Sequence, residues 1–146
     1  LGVVVAIALR KVQIEGLPDP DFTPQALQQP LEPAQAVADD DGPVMVTVEY
    51  QIDPARMGDF TQVMQRTRRA RLRQGALSWG LFRDAAQPGR VIEYFVDENW
   101  IEHQRRLERF SAFDAKLREE RQMFHIGSAP PIIKRYIGQP LDFTEP

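Results

Sequence analysis

The sequence predicts an α+β domain of the ferredoxin-like type, with the order βαββαβ and an antiparallel sheet that carries its helices on one face. Three observations predict it. Segments of strand period and of helix period alternate in that order from Val44 to Ile137, Pro88-Gly89 supplies turn chemistry between the two middle strands, and capping residues stand where each helical segment begins.

Val44 to Gln51 (VMVTVEYQ) places Val44, Val46, Val48 and Tyr50 on one side and Met45, Thr47, Glu49 and Gln51 on the other, which is the period of a strand. Asp53 followed by Pro54 combines an N-cap with proline at the first helical position. Phe60, Val63, Met64, Thr67 and Ala70 then fall within one arc of a 3.6-residue wheel, and Gly75 closes the helix. Leu77 to Asp84 and Arg90 to Asp97 read as two strands of a hairpin joined through AAQPG. Asn99 to Glu102 (NWIE) and Ser111 to Asp114 (SAFD) each have the capping-box form, so the stretch to Phe124 is two helical pieces or one bent helix. Pro131 to Ile137 forms the last strand.

With 146 residues, 42% hydrophobic and 27% charged, the chain has the composition of a globular protein with one domain and appendages. It contains no cysteine, which excludes a disulfide framework, a thiolate zinc site and a cysteine nucleophile. Residues 12–43 hold seven acidic and no basic residues, together with six prolines between Leu17 and Pro43. They read as an acidic, semi-extended linker, with room for a short helical turn around Pro33 to Val37. The organisation is therefore an apolar segment at 1–11, the linker at 12–43, a folded domain at 44–138 and a tail at 139–146.

The opening LGVVVAIALRK is apolar as far as Arg10-Lys11. As a helix, Leu1 to Leu9 spans only ~14 Å of a ~30 Å hydrocarbon core. It is either the end of a membrane helix that continues upstream or a short buried strand or arm. A secretory signal needs its basic residues before the apolar core, and here they follow it. The basic pair fits the positive-inside tendency.

Both faces of the central hairpin carry apolar side chains. Trp79 and Leu81 oppose Phe82, and Ile92, Tyr94 and Val96 oppose Val91 and Phe95. A lone domain keeps the helix-free face of such a sheet polar, so a second copy is expected to cover it in a homodimer.

Five arginines lie within eight residues at Arg66, Arg68, Arg69, Arg71 and Arg73. Arg66, Arg69 and Arg73 flank the apolar arc, as a solvated helix face does, and are the candidates for contact with anionic lipid. Arg71 points to the apolar side and needs a carboxylate there, from Glu93 or Glu102. Glu102 with Arg106 and Asp114 with Arg118 have the spacing of helix-supporting ion pairs. His103 shares a helical side with Trp100 and Leu107, either as a packed histidine or as a general base. Trp79, Tyr94, Trp100 and His103 are candidates to line a pocket. No metal site is expected from two histidines 22 positions apart, no cofactor motif is present, and no aromatic RNA-binding motif accompanies the arginines.

GPVMVTVEYQID at 42–53, RQGALSWGLFRDAAQPGRVIEYFVDENWIEHQRR at 73–106 and PPIIKRYIG at 130–138 together resemble the C-terminal region of bacterial major facilitator superfamily exporters of the enterobactin-exporter-like permease group. The resemblance implies a cytoplasmic tail at the bacterial inner membrane, following a transmembrane bundle in the same polypeptide, in a family that exports drugs, siderophores or similar molecules. It also implies that 1–11 is the end of the last membrane helix. The folded part is similar to the antibiotic-biosynthesis-monooxygenase group of dimeric α+β barrels. That likeness implies, as the competing function, a cofactor-free oxygenase or aromatic-ligand domain using Trp100, His103 and Arg71. Trp100 matches that group's tryptophan, but Leu107, Arg109 and Phe110 stand where the group often has histidine. The expected function is accordingly non-catalytic, in dimerisation or regulation of transport.

Overall fold

The computed structural model describes residues 36–144. The expected membrane-helix end at 1–11, the linker up to residue 35 and most of the helical turn at 33–37 lie outside them. The chain runs through β1 (Val44–Gln51), a 3-10 turn (Pro54–Arg56) leading into α1 (Met57–Arg73), β2 (Ser78–Arg83), β3 (Arg90–Asp97), α2 (Trp100–Glu108), α3 (Ala112–Gln122) and β4 (Ile132–Ile137). The strands form one sheet in the order β2-β3-β1-β4, and every neighbouring pair is antiparallel. This is the ferredoxin-like α+β fold.

Local chemistry accounts for each boundary. Asp53 accepts a hydrogen bond from the Ala55 amide at 3.0 Å and opens the 3-10 turn, so α1 itself begins only at Met57. Gly75, at φ +107°, turns the chain out of α1 in the left-handed region that favours glycine. In the hairpin, Asp84 accepts from the Ala86 and Gln87 amides at 2.7 and 3.1 Å, and Gly89 sits at φ +86°. The stretch after β3 is two helices. Asn99 caps α2 by accepting from the Glu102 amide, whereas Ser111 and Asp114 make a reciprocal capping box that opens α3 after Arg109 and Phe110.

Strand period then divides the sheet into two faces. Val44, Val46, Val48 and Tyr50 of β1 and Val91 and Phe95 of β3 turn toward the helices and are buried. They meet Phe60 and Met64 of α1, with Trp100 of α2 at the other end, while Val63 and Ala70 pack on Leu117 of α3. The opposite face presents Met45, Phe82, Ile132 and Tyr136, of which Phe82 is 61% and Ile132 49% exposed. Between them Ile92, Tyr94 and Val96 are half-buried, with the Tyr94 ring stacked on Phe82 at 5.7 Å. Among the described residues no helix packs on this face, and none is long and apolar enough to cross a membrane.

Phe60 is fully buried and edge-on to Tyr50 at 5.4 Å. Phe60→Ala is expected to lower stability by about 3–5 kcal/mol through lost burial and the cavity left behind, seen as a lower urea midpoint at unchanged m-value.

Candidate functional site

The period-two geometry of β3 has an electrostatic consequence. The side that places Val91 and Phe95 in the core also carries Glu93 and Asp97 there, and these carboxylates are 0% and 2% exposed. A buried carboxylate is tolerated only when paired and hydrogen-bonded. Arg71 reaches Glu93 from the last turn of α1, with Nε 3.0 Å from Oε2 and Nη2 3.3 Å from Oε1, and the Trp79 indole N–H donates to Oε2 at 2.8 Å. Burial alone would raise the Glu93 pKa, but the charge and hydrogen bonds of Arg71, with help from Arg121 and Trp79, outweigh it and hold the carboxyl below its ordinary value.

Asp97 is served by α2. His103 and Arg106 are three residues apart and so share a helix face. His103 Nδ1 lies 2.8 Å from Asp97 Oδ2, and Arg106 Nη2 forms an ion pair with Asp97 Oδ1. The Phe95 ring sits between the two carboxylates and receives both guanidinium groups, Arg71 at 4.3 Å and Arg106 at 4.6 Å from its centroid. Burial and the positive charges of Arg71 and Arg109 press the Arg106 pKa down to about 9, and the charge of Glu93 acts in the opposite sense.

His103 has its tautomer fixed by its neighbours. Arg135 of β4 donates Nε–H to His103 Nε2 at 3.1 Å, and a guanidinium can only donate, so the ring proton is on Nδ1 and points at Asp97. Burial, followed by the charges of Arg135 and Arg71, lowers the His103 pKa from 6.5 to about 4. His103 is therefore a neutral hydrogen-bond relay, and neither ring nitrogen is free to take a proton from a substrate.

Next to this network lies a cavity of about 140 Å³ between the sheet and the α2–α3 pair. Val46, Val48, Phe95, Leu107, Phe110 and Ile133 give it apolar walls, and Arg71, Arg118, Arg121, Arg135, His103 and Tyr50 give it a polar, cationic side. Gln122, on its wall, is exposed. Burial raises the Tyr50 pKa, with Glu93 adding to the effect and Arg121 and Arg71 opposing it. Among the described residues no group of three or more acidic or histidine side chains is placed to hold a metal.

The structure brings only some of the sequence-selected residues together. Arg71 finds Glu93 and not Glu102, which pairs with Arg105. Of the four pocket candidates only His103 lines the cavity. Trp100 is packed with Val44, Val46 and Phe95, Trp79 is tied to Glu93, and Tyr94 faces away because even-numbered residues of β3 point to the open side. The two helix-internal ion pairs are corrected as well. Arg106 turns inward to Asp97, Asp114 is engaged by Ser111 with Arg73 at 3.6 Å, and Arg118 lies over the Phe110 ring. Arg66 pairs with Glu120, and Arg69 is exposed. Asp97, Arg106, Arg118, Arg121 and Arg135 were not selected from the sequence as site residues. The available signals were Asp97 in phase with Glu93, and Arg121 four residues after Leu117 on the stripe that packs against α1.

The chain matches the MFS_3 family, transmembrane secretion effector, over residues 1–141. No curated protein matches it. Among solved structures, a candidate antibiotic biosynthesis monooxygenase from Bordetella bronchiseptica is 20% identical with a TM-score of 0.56, covering 68% of this chain and 99% of that one. A similarly named protein from Caulobacter crescentus is 14% identical with a TM-score of 0.56, covering 69% and 93%. SnoaB, a cofactor-independent oxygenase from Streptomyces nogalater, is 15% identical with a TM-score of 0.51, covering 75% and 100%. At these identities the likeness is one of fold.

Two outcomes are expected from the buried charges. Arg71→Met strands Glu93 and should destabilise the chain by roughly 3–5 kcal/mol, while Arg71→Met with Glu93→Gln should cost clearly less than the two single changes summed. Additivity in a urea double-mutant cycle would show the pair to be uncoupled. For His103, the unfolded chain takes up a proton near 6.5 and the folded chain only near 4. The unfolded state thus binds more protons across that window, and stability is lost as pH falls through it, by up to about 3 kcal/mol. Denaturation between pH 7 and 4 should show this slope, and His103→Gln should flatten it.

Proposed function

Because this chain belongs to the transmembrane secretion effector family, we propose that its folded domain is a non-catalytic module of a major-facilitator-type small-molecule exporter. The module lies on the cytoplasmic side of the bacterial inner membrane, in the same polypeptide as a membrane bundle, and works as a pair. The observation that carries the reading is the family match itself. It runs from the apolar segment through the linker and across the folded domain, which supports reading these parts together. The exposed apolar face of the sheet supports pairing with a second copy, since Phe82, Ile132, Tyr136 and Met45 gain burial worth ~25 cal/mol per Å² when covered.

The cavity chemistry supports the non-catalytic reading over an oxygenase. His103 has both nitrogens engaged and is neutral, and Trp100 is packed in the core. A base that would abstract a proton from a quinol or anthrone needs a free lone pair within reach. Arg66 and Arg73 are partly answered by Glu120 and Asp114, which leaves Arg69 as the arginine of that flank for an anionic lipid surface.

Sedimentation of the chain is expected to show a dimer at micromolar concentration. Phe82→Asp should weaken it by about a hundredfold or more through an unpaired charge in the contact, and a wild-type monomer would remove the pairing. In a cysteine-free form of the full polypeptide, Leu77→Cys at this exposed position reports sidedness. A membrane-impermeant maleimide should label it in inside-out vesicles and not in intact cells. Oxygen uptake with quinol or anthrone-like compounds should stay at background; turnover abolished by Trp100→Ala and His103→Ala would replace the reading with the oxygenase.

A further inference from the structure

The cavity on the helix side of the sheet carries more positive charge than the fold needs. Glu93 is answered by Arg71, and Asp97 by Arg106 and His103. That leaves Arg118, Arg121 and Arg135 on the cavity wall with no salt bridge to any described residue. Arg121 is 6% exposed; it bonds the Tyr50 side chain and its charge adds to that of Arg71 on Glu93, but its Nε has no hydrogen-bond partner. An unpartnered guanidinium N–H buried at a cavity wall is expensive to maintain, and a bound anion relieves that cost. Arg118 comes from the same helix, three residues before Arg121, and Arg135 comes from β4 across the cavity, so three cations converge from two elements.

The other half of the lining is aliphatic or phenyl. A bare inorganic anion makes no use of such walls, whereas an acid with an apolar body does. The volume of about 140 Å³ is close to that of a ~150 Å³ engineered cavity that takes benzene, so the body is of one-ring size. We propose that this cavity is a receptor for a small organic monocarboxylate, its carboxylate held by Arg118, Arg121 and Arg135 and its apolar body seated against Val48, Phe110 and Ile133. This site is on the opposite side of the sheet from the pairing face and does not depend on pairing.

Calorimetric titration of the 146-residue chain with benzoate, benzamide and inorganic phosphate tests it. Benzoate should bind saturably, one per chain and in the submillimolar range, with benzamide and phosphate weaker by about tenfold or more. Arg118→Gln and Arg121→Gln should each weaken benzoate by at least about tenfold, because each removes a charge-assisted hydrogen bond. Arg69→Gln, on the exposed flank of α1, should leave it unchanged. Arg118 is only half-buried, so its replacement keeps the test decisive if Arg121→Gln fails to fold, as judged by circular dichroism. Benzamide binding as tightly as benzoate, phosphate matching benzoate, or a benzoate affinity unmoved by Arg118→Gln would each overturn the proposal. Phe82→Asp should keep full benzoate affinity, which separates failure of pairing from failure of this site.

Discussion

Glu93 has no access to water, and the fold is organised around making that tolerable. The carboxylate sits at the middle of a central strand, on the side that faces the helices, and stays charged because Arg71 grips both of its oxygens while Trp79 donates to one. That arrangement fixes the last turn of α1 over β3 and ties β2 to the same point. Four residues along the strand the problem recurs at Asp97, and α2 answers it with His103 and Arg106. Phe95 lies between the two carboxylates, and its ring takes both guanidinium groups. Two helices are thereby positioned by one strand through directional contacts, in addition to the non-directional burial of Val44, Val46 and Phe60. Such pairs contribute little net stability over apolar residues of the same volume, but they penalise any register that leaves a carboxylate alone. For this chain, a one-residue slip of β3 would exchange two bonded carboxylates for Tyr94 and Val96 on the helix side.

The architecture was legible in the sequence because it depends on period and punctuation. Strand alternation, the Asp53-Pro54 start, the Asp84 to Gly89 turn and the Ser111 capping box are local chemistry, and the structure places elements close to where they indicate. Arg71 was legible too, since an arginine on an apolar arc requires a carboxylate and Glu93 is on the facing strand. The inward turn of Arg106 was not, because the i,i+4 rule supplies a local partner in Glu102; strand phase puts Asp97 on the buried side with Glu93, but it does not tell which cation will reach it. Arg118 and Arg121 were hidden for the same reason. Which wall of a cavity a helix presents depends on where the chain breaks between α2 and α3, and that break orients α3 through Ser111 and Asp114.

The aromatic residues show a different limit. As aromatic residues, Trp79, Tyr94 and Trp100 are candidates for a common pocket. Period two separates Tyr94 from the other two by the thickness of the sheet, and burial of Trp100 against Val44, Val46 and Phe95 leaves its ring in the core. The cavity is instead lined by β1, α1, β3, α2, α3 and β4, elements spread along the whole folded part of the chain. Only the packed tertiary structure brings Arg71 and Arg135 to one place, with neutral His103 joining Arg135 to Asp97.

One sheet therefore serves two surfaces of opposite character, and β4 belongs to both. Arg135 points to the helix side, where it donates to His103 and lines the cavity, while Lys134 and Tyr136, its chain neighbours, point to the open face. β4 is an edge strand paired only with β1, so it has fewer hydrogen bonds holding it than β1 or β3. Its position is set by the β1 ladder and by what occupies each side of it. Arg135 belongs to the helix-side half of the six residues of β4 and Tyr136 to the open-side half, so the two sides share a backbone but no side chain, and each can be altered without removing a contact of the other. The alternation of the strand is thus what keeps the two surfaces chemically separate, a cationic cavity on one side and an exposed apolar face on the other.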